Sequence, residues 1–222
     1  MNKKRKEIID RTAEYVRSEL LGEGAGHDWW HVYRVWKTAT TIAKEEKADQ
    51  YVVQLAALLH DIADWKFHGG DEKAGSKKAK EWLEYLKVDE QVIVKVCGII
   101  DDVSFKGAGV GSKIKSIEGK VVQDADRLDA MGAIGIGRTF AYGGYKQREM
   151  YNPNVKVKMA KNFEEYKNAG QTTINHFYEK LLLLKDRINT KTGKKMAEGR
   201  HRFMEEYLER FFAEWEGKNE SN

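Results

Sequence analysis

The chain has 222 residues, 41% of them hydrophobic, 33% charged and 11% aromatic: too apolar for a disordered chain, too charged for a set of membrane spans. No run approaches the roughly 18 apolar residues of a transmembrane helix, and Glu7 and Asp10 break the N-terminal stretch before a signal-type segment forms, so a cytoplasmic protein with no membrane partner is expected. The net charge of +4 is interleaved with acidic residues in EEKADQ, EKAGSKKAKEW and RHRFMEEYLER, which argues against the basic stripe of a nucleic-acid binder and suits a small polyanion such as a nucleotide.

With Pro153 the only proline, helix breakers are scarce, and apolar residues recur three and four apart almost throughout. Helices are predicted at 4–21, 28–47, 50–63, 72–86, 89–101, 113–129, 130–141, 164–188 and 191–216. Asp28, Asp49 and Asp89 stand where N-caps of the second, third and fifth belong. Glycine-bearing breaks fall at GEGAG (22–26), HGG (68–70) and KGAGVG (106–111). Cys97, in VIVKVCGII, is expected in the core, and a lone cysteine permits no internal disulfide. The looser stretch 142–163 is expected to be a mobile connection, with a short hairpin as the alternative. The expected architecture is a single all-α domain over 1–222: core motifs at 27–138, then the connection, then C-terminal helices at 164–216.

Two of these helices carry polar residues where an apolar face meets a loop. In the helix opening at Asp28, His31 shares a face with Val35, Thr38 and Ile42, so it points to the buried side. The next helix ends QLAALLHDIADW, an inward surface stopping at His60 and Asp61. Adjacent side chains diverge by about 100° in mid-helix but can converge at a helix end. Buried polar groups need partners, and a metal ion is one. Imidazole with carboxylate suits Zn, Mn, Fe, Co or Mg, and a further ligand from VVQDADRLDAMG would leave a coordination position open to water. Each feature alone has a plainer reading. A buried histidine can be a satisfied core residue, and Asp124, Asp126 and Asp129 can be the acidic start of a helix.

Three blocks in order, GHDWWHVYRVW, AALLHDIADWKF and VVQDADRLDAMGAIGIGR, resemble the H…HD…D pattern of the HD-domain metal-dependent phosphohydrolases over about 27–138. The ending TKTGKKMAEGRHRFMEEYLERF is similar to small bacterial members of that family, the nucleotide pyrophosphohydrolase-like HD proteins. The resemblance implies a helical bundle around one divalent metal ion, Mn favoured. Its ligands would be His31, His60, Asp61 and Asp126, with Asp124 the rival for the last place and otherwise a support to the ligands or a helix cap. Asp64, one turn beyond Asp61, matches a proton-transfer position in related hydrolases; a surface pair with Lys66 is the alternative. Lys66, Arg34 and Arg127 are candidate phosphate partners, although both arginines could instead bridge helices. Trp29, Trp30 or Trp65 could line a nucleobase pocket, whereas Trp36 and Trp215 read as packing and His27 as a loop residue.

The activity implied is hydrolysis of (deoxy)nucleoside triphosphates to monophosphate and pyrophosphate, by a monomer or homodimer. The alternatives are a nucleoside-monophosphate phosphatase, a cyclic-nucleotide phosphodiesterase, or a nucleotide sensor without turnover. The last is disfavoured because all four ligands are present.

Overall fold

A computed structural model describes residues 2–20, 28–63, 73–103, 114–158 and 172–218, and every regular element among them is helical. In order these are α1 (Lys3–Leu20), α2 (Trp29–Glu45), α3 (Gln50–Leu59), α4 (Ala74–Tyr85), α5 (Glu90–Val103), α6 (Ile117–Asp129) and α7 (Gly132–Tyr145). A π-helical turn (Phe177–Leu181), a 3-10 turn (Leu182–Arg187) and α8 (Lys191–Trp215) follow. The all-α class expected from periodicity holds.

The starts obey cap chemistry. Asp28 accepts the His31 N–H at 2.8 Å, Asp49 the N–H groups of Tyr51 and Val52, and Asp89 that of Gln91 at 2.9 Å. Ser116 and Thr190 serve α6 and α8 in the same way, through Gly119 and Gly193. Each cap satisfies one of the N–H groups a helix start leaves bare. Three ends share a left-handed residue just past the helix: Lys47, Lys87 and Gln147, at φ of 53–54°. After each, the next N–H reaches back to the helix, from Ala48 to Ala43, Val88 to Leu83 and Arg148 to Gly143.

The chain divides into two compact units, Met1–Asp126 and Arg127–Asn222, and α6 runs through the boundary. In the first unit α3 packs against α1, α2 and α5, so it has no solvent face, and every residue from Tyr51 to Leu59 is buried. A helix apolar all round is the expected result. Its one polar exception, Gln54, accepts the Trp36 indole N–H at 3.0 Å, which ties α2 to α3 and makes half-buried Trp36 structural. Asp49 N–H donates to Glu118 at 3.1 Å, tying the start of α3 to the first turn of α6. In the second unit α7 packs on α8, and Phe177, fully buried, lies against Tyr207 and Phe140.

Several sequence expectations need correction. The helix placed at 50–63 ends at Leu59, and the one placed at 130–141 continues to Tyr145. Gly143 lies in the stretch expected to be a loose connection, yet it is helical, and a Cβ on it would lie 2.3 Å from Thr173 Oγ1, so this glycine admits a neighbour. Within 164–188, the part from Phe177 to Arg187 is a π turn followed by a 3-10 turn, not continuous α-helix. Residues 146–158 hold no strand, so the hairpin alternative finds no support among the described residues. Cys97 is half-buried, its thiol directed at the Ser76 carbonyl and its pKa raised by burial and then by Asp101. Trp215, expected to pack, is 47% exposed while its ring stacks on Phe211. The breaks at 22–26, 68–70 and 106–111 lie outside the described residues.

Candidate metal centre

Three helices of the first unit bring the predicted ligands together. His31 is the third residue of α2, its backbone pinned by the Asp28 cap and its side chain 2% exposed. His60 follows the last residue of α3, where the chain leaves the helix, so His60 and Asp61 escape the mid-helix divergence. Asp126 stands in the C-terminal half of α6.

His60 Nδ1 lies 2.8 Å from the Ala57 carbonyl oxygen. A carbonyl only accepts, so Nδ1 carries the proton and donates, and Nε2 of the neutral ring is a lone pair aimed away from α3. That Nε2 is 3.3 Å from His31 Nε2, 3.6 Å from Asp61 Oδ2 and 3.9 Å from Asp126 Oδ1. His31 Nε2 in turn is 3.4 Å from Asp61 Oδ2 and 3.5 Å from Asp126 Oδ1. With ligand bonds of about 2.1 Å, neighbouring donors around an ion are separated by about 3.0 Å in an octahedron and about 3.4 Å in a tetrahedron. The observed spacings match or slightly exceed those edges, and the donors are the imidazole and carboxylate atoms that first-row divalent ions take. The residues present therefore fit a metal ion.

The surroundings are asymmetric. The two imidazoles are 2% and 3% exposed, the carboxylates of Asp61 and Asp126 23% and 31%. Nitrogen donors come from the dry side and oxygen donors from the wet side, so solvent and a ligand reach the group past the carboxylates. A hydrolytic centre needs that open side.

The other sequence candidates are placed as follows. Asp124, fully buried in the middle of α6, is not a helix cap, and the acidic run 124–129 closes the helix where an acidic start was an alternative. Among the described residues the metal-type donors that all lie within 4.8 Å of one another are those of His31, His60 and Asp126; neither Asp61 nor Asp124 belongs to that group. Arg34 is half-buried on α2, one turn after His31. Arg127 donates from Nη1 to the Arg187 carbonyl oxygen, the bridging role stated as its alternative. Trp29 is buried and Trp30 is 58% exposed. Asp64, Lys66, Trp65 and His27 lie outside the described residues.

Sequence reasoning passed over Arg138 and Arg200, which engage the end of α6. Arg138 Nη1 donates to Asp129 Oδ2 at 2.7 Å, and Arg200 Nη1 donates to the Leu128 carbonyl oxygen. Burial lowers the Arg200 pKa and the charge of Asp129 opposes that. A signal was available: an aspartate in the last turn of a helix opposes the helix dipole and calls for a cation.

Comparison with known proteins agrees with this geometry. A model of the HD domain family matches residues 29–131. The Bacillus subtilis protein YpgQ is 38% identical over 195 residues, 87% of each chain. Its crystal structure in complex with ADP matches with a TM-score of 0.74 at 33% identity, covering 94% of this chain and 95% of YpgQ. A Lactobacillus plantarum structure matches with a TM-score of 0.81 at 34% identity, over 96% and 99% of the two chains. An HD-superfamily hydrolase from Bacillus thuringiensis matches with a TM-score of 0.77 at 43% identity, over 96% of this chain and 100% of that one. Likeness of that extent, with the His-Asp pair in place at the end of α3, establishes that the chain belongs to the HD superfamily of hydrolases.

Proposed function

We propose that this chain is a divalent-metal-dependent phosphohydrolase that cleaves (deoxy)nucleoside triphosphates into the monophosphate and pyrophosphate. The observation that carries the reading is that the paired His31 and His60 Nε2 atoms are approached by Asp61 and Asp126 oxygens at 3.4–3.9 Å, with the carboxylates on the partly exposed side. ADP in the crystal structure of YpgQ supports a nucleotide as the ligand class. An ion bound to these four residues, manganese by preference, would supply Lewis acidity to water and to the phosphoryl oxygens.

The chain's own residues take the remaining roles. His31 and His60 hold their lone pairs on the dry side, and the Ala57 carbonyl keeps His60 in the tautomer that ligation needs. Asp61 and Asp126 complete the set and face the substrate. Asp64 accepts the proton of the attacking water, directly or through a second water. The water oxygen bonds to the α-phosphorus as the α–β anhydride bond breaks, and pyrophosphate leaves. Lys66 and Arg34 are the residues we assign to the phosphate charge, Lys66 as a point charge on a flexible stem; Arg127 is committed to the Arg187 carbonyl oxygen.

The test is to incubate purified protein with Mn²⁺ and each (deoxy)nucleoside triphosphate and to assay both phosphate products. Pyrophosphate with an equal amount of monophosphate is the expected result. Orthophosphate alone would overturn it in favour of a phosphatase, and binding without turnover across several metals would indicate a sensor.

A further inference from the structure

Of the three residues after Asp126, one supplies a guanidinium and two are engaged by one. Arg127 itself donates to the Arg187 carbonyl oxygen, the Leu128 carbonyl oxygen accepts from Arg200, and the Asp129 carboxylate accepts from Arg138. The same turn is tightened by Ala130 N–H to Arg127 oxygen at 3.1 Å and Met131 N–H to Leu128 oxygen at 3.0 Å. The Leu128 carbonyl thus accepts twice, from Met131 N–H and from Arg200, which adds a cation at the end the dipole favours.

Asp129 is not explained by helix stability. Its charge sits at the unfavourable end of α6 and is only 4% exposed. A buried carboxylate there is costly unless paired, and Arg138 pairs it while remaining 28% exposed itself. Arg200 is held closely as well. A Cβ on Gly132 would lie 3.0 Å from Arg200 Cγ, and Gly132 has a φ of +69°, so the arginine stem occupies space that only glycine leaves.

We propose that Asp129, Arg138 and Arg200 are positioning residues for Asp126, a charged clamp on the last turn of α6 that sets where the ligand carboxylate stands. The inference rests on the reading of Asp126 as a metal ligand. Both imidazoles are enclosed by the core, whereas the Asp126 side chain is 31% exposed, so its place is governed mainly by the helix that carries it. Unwinding or sliding that turn by one residue shifts a side chain by about 1.5 Å along the axis and about 100° around it. Residues that orient metal ligands typically change metal affinity by about 10–100-fold when replaced.

The experiment measures Mn²⁺ affinity by calorimetric titration, with thermal unfolding of the metal-free protein alongside, for wild type, Arg138→Gln, Arg138→Lys, the double variant Asp129→Asn with Arg138→Gln, and Asp126→Ala. Arg138→Gln is expected to bind Mn²⁺ about 10–100-fold more weakly, and Arg138→Lys to regain most of that loss. The double variant removes both charges of the Asp129–Arg138 pair together and guards against misfolding from half a broken pair; it is expected to bind weakly while unfolding near the wild-type temperature. Wild-type affinity in the double variant or in Arg138→Gln, whatever happens to the unfolding temperature, overturns the clamp while wild type binds and Asp126→Ala does not. Absence of Mn²⁺ binding by wild type, or full binding by Asp126→Ala, overturns the ligand reading and the clamp with it.

Discussion

His31 and His60 face each other Nε2 to Nε2 across 3.3 Å, although they come from the start of one helix and the end of another. His60 presents a lone pair there because its Nδ1 is committed to Ala57. Two carboxylate oxygens lie within 3.9 Å of the same atom. When His31 Nε2 carries the ring proton it donates to the His60 lone pair. When it does not, atoms this close repel one another unless positive charge lies among them, and a divalent ion would supply it with the geometry these donors already have.

Alanine at His31, His60, Asp61 or Asp126 is therefore expected to leave only a small fraction of the bound metal, measured by elemental analysis after gel filtration. Asp124→Asn should keep its metal and lose about 1–3 kcal/mol of stability, as expected for disturbing a buried polar group. Metal retained by Asp126→Ala and lost by Asp124→Asn would reverse the assignment.

Asp64→Asn should bind metal normally and lower kcat by about 10²–10⁴-fold, the usual range for a lost proton-transfer group. Single-turnover kinetics separates this from slow product release. A variant with unchanged kcat would remove Asp64 from the reaction.

His176 predicts acid sensitivity. Burial, and then the positive charges of Lys180 and Arg148, lower its pKa from 6.5 to about 3. Between those values the unfolded chain takes up a proton that the folded protein refuses, so the histidine's contribution is fully present above pH 6.5 and is lost as pH falls toward 3. The slope from this one group is at most about 1.4 kcal/mol per pH unit. Urea unfolding at pH 7 and pH 5 should show a smaller difference in His176→Gln than in wild type; an equal difference would contradict the assignment.

Helix ends offer a stability test. Lys47 and Lys87 hold a φ of 54°, a region that disfavours side chains, so glycine at either position should raise stability by about 0.5–1 kcal/mol. Gly132→Ala should lower it by about 1–3 kcal/mol, because the backbone is left-handed and Arg200 is too close to yield without shifting. Chemical denaturation of the three variants checks both signs.

Much of the local structure was legible because its causes are local. Cap residues at Asp28, Asp49 and Asp89 act over two or three positions. The misreadings arose where a distant partner decides. The run LLLL at 181–184 has no periodicity that would distinguish α from π or 3-10 winding, and Phe177 is set by Tyr207 and Phe140. Gly143 falls in the stretch expected to be a loose connection until Thr173 is seen against it. Asp129 reads as a helix start until Arg138 and the true end of α6 are in view.

The sequence by itself determined the helical class and the order of the H, HD and D blocks, since these follow from apolar spacing, caps and residue type. That the helix stops at Leu59, just before His60-Asp61, was not in its pattern, which ran on to 63. Tertiary structure decided which aspartate of the D-A-D segment meets the imidazoles. Two residues on a helix point about 200° apart, so Asp124 and Asp126 cannot both face the same neighbours. Packing of α6 in the first unit buries Asp124 completely and leaves the Asp126 carboxylate 3.5 Å from His31 and 3.9 Å from His60.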